Sequence, residues 1–266
     1  MAKSKIEWTD SVWNPVTGCT KISTGCKHCY AERMAKRLHA MGQSRYAQVF
    51  SVTLHPELLE LPLQWRKPRM ILVNSMSDLF HESVPTEFII KVFDTMRACP
   101  RHIFQVLTKR PRRMAELLFD WPPNVWAGVS VEDQATAQER LPWLMKCTST
   151  AIRFVSYEPA LGPLCLDSIS LCDGTFFGMR LRDESGEYFA FTPATGVTIN
   201  WIICGCESGP GARPMQLDWA RSIRDQCAKY WIPFFLKQIS IDKKIIKLPY
   251  LDGRIHMEKA NPTGER

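Results

Sequence analysis

Three cysteines stand at C-x6-C-x2-C within Gly18-Cys19-Thr20-Lys21-Ile22-Ser23-Thr24-Gly25-Cys26-Lys27-His28-Cys29-Tyr30. Gly18 and Gly25 permit tight turns, which three thiolates need in order to converge on one point. Converging thiolates suit a soft metal, either zinc or the irons of a cluster. A [4Fe–4S] cluster usually takes four cysteines. On three, one iron keeps an open position where a substrate or cofactor can bind. Zinc is the rival, since His28 could complete a Cys3His set, although the usual zinc patterns bring a second ligand pair further along. Three unrelated core thiols fit less well, because buried free cysteines normally occur singly as small hydrophobes.

Other groups with chemical capacity sit at the ends of short apolar runs. Met70–Val73 precedes Asn74-Ser75-Met76-Ser77-Asp78, Ile103–Leu107 precedes Thr108-Lys109-Arg110, and Val125–Val129 precedes Ser130-Val131-Glu132. Ile152–Val155 precedes Ser156-Tyr157-Glu158, Trp201–Cys204 precedes Gly205-Cys206-Glu207-Ser208-Gly209, and Pro233–Leu236 precedes Lys237-Gln238. Helical patterns fit between several runs: 86–98, 112–119, 134–146 and 218–230. Residues 31–38 follow the cysteine loop with helix formers at apolar spacing, and Gly42 ends them.

Apolar strands alternating with helices predict a parallel sheet covered on both faces. The predicted fold is α/β, a partial or complete (β/α) TIM-type barrel whose active face is the C-terminal ends of its strands. Caps and turns also favour Ser, Asp and Gly, but Lys109, Glu132, Glu158 and Glu207 ask for a further reason.

Short strands are expected at 13–17 and 49–54, and a leucine-rich helical stretch at 55–65. Residues 161–200 break the rhythm. Asp173-Gly174, Ser185-Gly186 and the alternating 187–192 read as a β-hairpin insertion. The basic tail, 239–266, is expected to turn at Asp252-Gly253 and to end loosely. The expectation is one domain over 1–266.

Composition narrows the function classes. Of 266 residues, 45% are apolar, which is enough for a sizeable core. No apolar run reaches the roughly 18 residues of a membrane span, and the N-terminus lacks a signal-peptide pattern. A cytoplasmic protein with reduced thiols is expected, so the ten cysteines read as ligands, reactive thiols or core residues. A net charge of +7 leans weakly toward acidic partners such as nucleic acid.

The cysteine loop joined to a (β/α) barrel resembles the radical S-adenosylmethionine superfamily. More closely, Trp13-Asn14-Pro15, 74–80, 107–111, 128–132, 158–163 and 207–214 look like those of a family of phage and bacterial proteins described, by similarity, as radical-SAM-like. That resemblance spans most of the chain except the insertion, and brings no known substrate. It implies a [4Fe–4S] cluster on Cys19, Cys26 and Cys29, with S-adenosyl-L-methionine on the open iron. It also implies an electron from a flavodoxin- or ferredoxin-type reductant and a 5′-deoxyadenosyl radical that abstracts hydrogen. The first cysteine gap is six where the superfamily's commonest is three, and His28 stands where an aromatic residue usually lies against the adenine.

The superfamily's glycine-rich motif for the cofactor's amino group has no plain counterpart. Ser75, Ser77 and Asp78 are the candidate substitutes, while Asp78 as the cap of a turn is the plainer reading. Lys109 or Arg110 would capture the cofactor carboxylate or a substrate phosphate. Glu132, Glu158 and Glu207 would take ribose hydroxyls or an amine, unless they pair with cations structurally. Ser208, Gly209 and Arg213 form a loop that allows close backbone approach. Cys206 could donate a hydrogen atom or ligate metal, with a core thiol as the plainer role. The substrate is expected to be a nucleic acid or nucleotide. A non-catalytic, zinc-containing nucleic-acid-binding protein is the alternative from a different class.

Overall fold

The apolar runs form strands in the order in which they occur. In the computed structural model they are β1 Ser11–Trp13, β2 Met70–Val73, β3 Ile103–Thr108 and β4 Val125–Val131. They continue as β5 Arg153–Tyr157, β6 Trp201–Gly205, β7 Phe234–Ile241 and β8 Lys244–Lys247. The structure describes residues 4, 6–117, 120–147, 149–150, 152–170, 180–182, 188–190, 198–242 and 244–261. The strands form one eight-stranded sheet in chain order, β1 through β8. The fold is mixed α/β with a mostly parallel sheet.

Among the described residues, five α-helices accompany the strands: α1 Tyr30–Ala40, α2 Thr86–Arg97, α3 Pro111–Leu117, α4 Gln134–Lys146 and α5 Leu217–Lys229. Helix α2 follows β2, α3 follows β3, α4 follows β4 and α5 follows β6. No helix of the described residues is long and apolar enough to cross a membrane.

Two compact units divide the chain inside β4, namely Met1–Gly128 with Ser149–Ala151, and Val129–Thr148 with Ile152–Arg266. In the first unit, β2 pairs in parallel with both β1 and β3. Helix α2 buries Phe88, Ile89, Val92, Phe93 and Met96, a single stripe at helical spacing. Each such side chain contributes about 1.5–3 kcal/mol by leaving water. Trp13 packs edge-on to Phe104, with ring centres 5.8 Å apart, and its indole N–H donates to the Leu58 carbonyl at 2.7 Å.

In the second unit, β6 pairs in parallel with β5 and β7, and β8 returns antiparallel along β7. Every residue of β5 and β6 is buried, as strands covered on both faces require. Trp201 centres the aromatic core, 6.0 Å from Phe154 and 6.2 Å from Phe235. Helix α4 starts on a capping box, in which the Asp133 side chain accepts from the Thr136 N–H and the Thr136 hydroxyl accepts from the Asp133 N–H.

Several expectations need correction. The stretch 13–17 is two strands, because Pro15 has no N–H to continue a ladder. Val16–Thr17 pairs instead with Thr53–Leu54, the only strand within 49–54. Of the leucines in 55–65, Leu58, Leu61 and Leu63 sit in two 3-10 turns, Pro56–Leu58 and Leu61–Gln64, and Leu59 caps the first; each turn opens near a proline that cannot extend a preceding helix.

The expected loose end of the tail, 262–266, lies outside the described residues. Beyond β8, Tyr250–Leu251 pairs with Arg254–Ile255, and Leu251, His256 and Ala260 are buried. The Asp252-Gly253 turn is as expected, with φ of 49° and 88°, both left-handed as a two-residue hairpin of this kind requires. The insertion holds an antiparallel pair, Arg180–Arg182 with Tyr188–Ala190. Cys172, 173–174, 185–187 and 191–192 lie outside the described residues.

Candidate metal and cofactor site

Gly18 places the first cysteine. Its φ is +83°, and a Cβ there would stand 2.1 Å from the Ser51 carbonyl oxygen, so only glycine fits. Its N–H donates to the Met76 carbonyl at 3.0 Å, and the Cys19 N–H donates to that of Phe50 at 3.1 Å. Gly25 instead lies within a 3-10 turn, Thr24–Cys26. Cys29 occupies the N-cap of α1. The chain thus enters its first helix directly from the cysteine loop.

The nine described cysteines are free thiols, and Cys19, Cys26 and Cys29 are half-buried, whereas Cys99, Cys147, Cys204, Cys206 and Cys227 are buried. Burial and the Asp78 carboxylate push the Cys19 thiol up to about 11, against the opposing pull of Arg110. Burial also raises Cys26, but the Lys109 charge and hydrogen bonds from Ile22 and Ser23 outweigh it and hold that thiol below its ordinary value. The Cys26 charge is itself among those felt at Cys19. Among the described residues no group of three or more His, Cys, Asp or Glu side chains is arranged to hold a metal ion. In donor chemistry alone, three half-buried free thiols, one bonded to Arg110 and one near the Lys109 charge, suit a thiolate-bound group.

Beneath the loop lies a polar hub. Asp78 is 6% exposed. It accepts from the Thr108 hydroxyl at 2.7 Å, from the N–H groups of Phe80 and Lys109 at 3.0 Å each, and from Arg110 Nη1 at 3.3 Å. Arg110 Nε reaches both Glu82 oxygens at 2.9 and 3.0 Å. Its Nη2 donates to the Thr20 hydroxyl at 3.0 Å, and its Nη1 to Cys19 Sγ at 3.6 Å. His81 Nδ1 accepts from the Ser83 N–H at 3.0 Å, which puts the ring proton on Nε2, 2.9 Å from the Thr20 hydroxyl.

Asp78 and Arg110, expected to take opposite ends of a ligand, are therefore bonded to each other. Ser75 donates to Asn14 Oδ1 and Ser77 to the Val16 carbonyl, so both hydroxyls brace the loop after β2. Asn74, at φ +59°, turns that loop in the left-handed conformation that asparagine tolerates.

The second unit has its own strand-end charges. Glu158 Oε1 lies 2.8 Å from Lys237 Nζ, and Glu158 Oε2 accepts from the Ser156 hydroxyl at 3.1 Å. Glu207 accepts from the Arg213 N–H at 2.8 Å, from Nε at 3.0 Å and from Nη2 at 2.6 Å. The loop between them, with Gly209 and Gly211 left-handed at 95° and 73°, folds around its own first carboxylate. Ser208 and Gly209 lie on that loop.

Glu132 has 0% exposure and pairs with Arg140 at 3.1 Å. A reach toward ribose hydroxyls thus meets a carboxylate with no accessible surface. The β6–β7 register shifts between Cys204 and Gly205, so strand alternation stops before Cys206. Burial and the Glu158 charge push the Cys206 thiol up to about 11.

Lys237 is the clearest group that reading for candidate residues missed, although its place after the apolar Phe234–Leu236 run was the available signal. Thr20, Glu82 and His81 carried none. Arg110 and Arg213, expected as cations for a phosphate-bearing substrate, both already contact carboxylates.

No curated protein and no solved structure matches this chain. A family described as a protein of unknown function (DUF5131) matches residues 3–258, and the chain belongs to that family.

Proposed function

We propose that this is an iron–sulfur enzyme of radical S-adenosylmethionine type, with Cys19, Cys26 and Cys29 as the cluster ligands. The observation that carries the reading is the set of three half-buried free thiols leading into α1, with Arg110 bonded to Cys19 and the Lys109 charge felt at Cys26. The sheet fits the same reading: strands in chain order with helices between them suit a partial (β/α) barrel of TIM type, and polar groups gather at the strands' C-terminal ends. When bound, a reduced cluster would supply one electron to the sulfonium of S-adenosylmethionine, whose cleavage gives methionine and a 5′-deoxyadenosyl radical.

The chain's own residues position that chemistry. Gly18 sets the loop, and Arg110 and Asp78 brace it. By the resemblance, His28 would lie beside the cofactor's adenine. The second unit, taken by itself, carries two ion pairs near strand ends, Glu158 with Lys237 and Glu207 with Arg213. Cys206, kept as S–H, suits hydrogen-atom donation. A nucleic acid or nucleotide is the proposed substrate class, resting on the net charge of +7.

Anaerobic reconstitution with iron and sulfide tests the reading. A brown protein is expected that, with dithionite and S-adenosylmethionine, yields 5′-deoxyadenosine, and Cys19→Ala, Cys26→Ala and Cys29→Ala should each lose the colour. A colourless protein holding one zinc and no iron would overturn it in favour of a zinc-containing binding protein.

A further inference from the structure

The 3-10 turn Ser44–Tyr46, the short strand Thr53–Leu54 and the 3-10 turn Pro56–Leu58 line an open cleft in the first unit. Its volume is about 330 Å³, at the small end for a ligand site. The side chains around it are mostly polar: Ser44, Arg45, Gln48, Thr53, His55 and Glu57. None of them belongs to the hub around Asp78 and Arg110. Two charges of opposite sign line this space without pairing to each other. Arg45 makes no hydrogen bond and no ion pair among the described residues. Glu57 is 62% exposed, and its Oε1 lies 3.4 Å from His55 Nδ1. A carboxylate only accepts, so Nδ1 carries the ring proton and Nε2 accepts from the Thr17 hydroxyl at 2.8 Å. The buried imidazole is thus a fixed, neutral anchor for Glu57. Thr53 Oγ1 donates to the Ser51 carbonyl at 3.1 Å, which leaves its lone pairs to accept. Val49, next to Gln48, holds a φ of 54°, a strained conformation for a β-branched residue, and such strain gathers at ligand sites.

We propose that this cleft binds a small zwitterion, an unmodified α-amino acid, with the ligand carboxylate on Arg45 and the ligand ammonium on Glu57 and the Thr53 hydroxyl. An anion alone would meet the Glu57 carboxylate, and a cation alone would meet the Arg45 guanidinium. A molecule carrying both signs is matched at each end and selected against its singly charged relatives. Guanidinium and carboxylate can pair through two parallel hydrogen bonds, which fixes the ligand's orientation as well as its charge. The Ser44 hydroxyl and the Gln48 amide remain for the ligand's side chain. Binding here needs no metal and no other cofactor, so it stands apart from the proposed function.

The full chain, as purified, is screened by thermal shift against the common L-amino acids, and the one that stabilises it most is carried to titration calorimetry. Two derivatives of that amino acid each lose one charge: the N-acetyl form lacks the ammonium, and the methyl ester lacks the carboxylate. Each should bind about tenfold more weakly than the parent, or worse. Arg45→Met should bring the parent down to the level of its methyl ester. Glu57→Gln should bring it down to the level of its N-acetyl form. That loss of discrimination, one end at a time, is a readout that a general loosening of the fold would not give. Arg112→Met is the control, since Arg112 is exposed and pairs with Glu116, and it should match the wild type.

Wild-type protein that binds none of the amino acids up to about 10 mM overturns the proposal. So does a parent amino acid bound no better than its N-acetyl form and its methyl ester, and so does binding that is unchanged in both Arg45→Met and Glu57→Gln. Each of these failures leaves the proposed function untouched, because that reading is decided by iron content and 5′-deoxyadenosine. A protein that takes up no iron leaves this cleft untouched in turn.

Discussion

Gly205 and the Glu158 carboxylate occupy one space. A Cβ on residue 205 would stand 2.6 Å from Glu158 Oε1, the oxygen that pairs with Lys237 at 2.8 Å. A glycine at the end of β6 thus makes room for a charge at the end of β5. Gly205→Ala should push the carboxylate off Lys237 and cost about 1–3 kcal/mol by overpacking. Urea unfolding of this variant beside Lys237→Met would check it, because the double variant should cost less than the sum of the two if both act through the same pair.

Acid should loosen the protein through its imidazoles. Burial lowers the pKa of His55, His81, His102 and His256 below the ordinary 6.5. The unfolded chain then binds more protons than the folded one just below 6.5, so stability is complete above that pH and falls as pH drops toward the folded values. At His81 the added proton would appear on Nδ1, facing the Ser83 N–H, and would cost the bond from that N–H while leaving the Nε2–H contact to Thr20 in place. Melting temperature should fall between pH 7 and pH 5, and amide exchange at Ser83 should quicken over the same interval.

The thiols should react in a fixed order. Cys26 is held below its ordinary value, Cys19 and Cys206 are pushed up to about 11, and Cys147 to about 12 by burial. Iodoacetamide at pH 8 should therefore label Cys26 well before Cys19 and Cys206, since the thiolate is the nucleophile. Cys165, which is exposed, should label as well. Peptide mapping at increasing times reads this order, and Cys19 labelling ahead of Cys26 would contradict it.

The strands were legible in sequence because a parallel strand covered on both faces is a continuous apolar run, as at Val125–Val131. Helix α4 was legible through its period and its cap, and matches residues 134–146. The leucines at 58, 59, 61 and 63 misled, since their spacing is helical while Pro56 and Pro62 hold them in short turns. At the site, types and strand-end positions pointed to Asp78, Arg110, Glu207 and Arg213. Partnership did not show, because Asp78 meets Arg110 across 32 positions and Thr20 meets Arg110 across 90. Only the folded chain brings such pairs together, and that pairing decides whether a charge serves a ligand or its neighbour.

Glu132 puts that distinction to the sharpest test. Its carboxylate and the Arg140 guanidinium have side-chain exposures of 0% and 1%, at 3.1 Å, and Arg140 also donates to the Ser130 carbonyl at 2.7 Å. Breaking a buried pair from one side leaves a charge without its counter-ion, at about 3–5 kcal/mol. Replacing both partners with apolar residues of similar volume is far less damaging, because no charge is stranded. Glu132→Leu alone should therefore be severely destabilised, and Glu132→Leu with Arg140→Met should recover much of the loss in urea unfolding. A ligand-binding Glu132 would behave in the opposite way: the single variant would fold at nearly wild-type stability, and S-adenosylmethionine affinity measured by calorimetry would fall. The buried geometry predicts the first outcome, with the stability rescue as the deciding measurement.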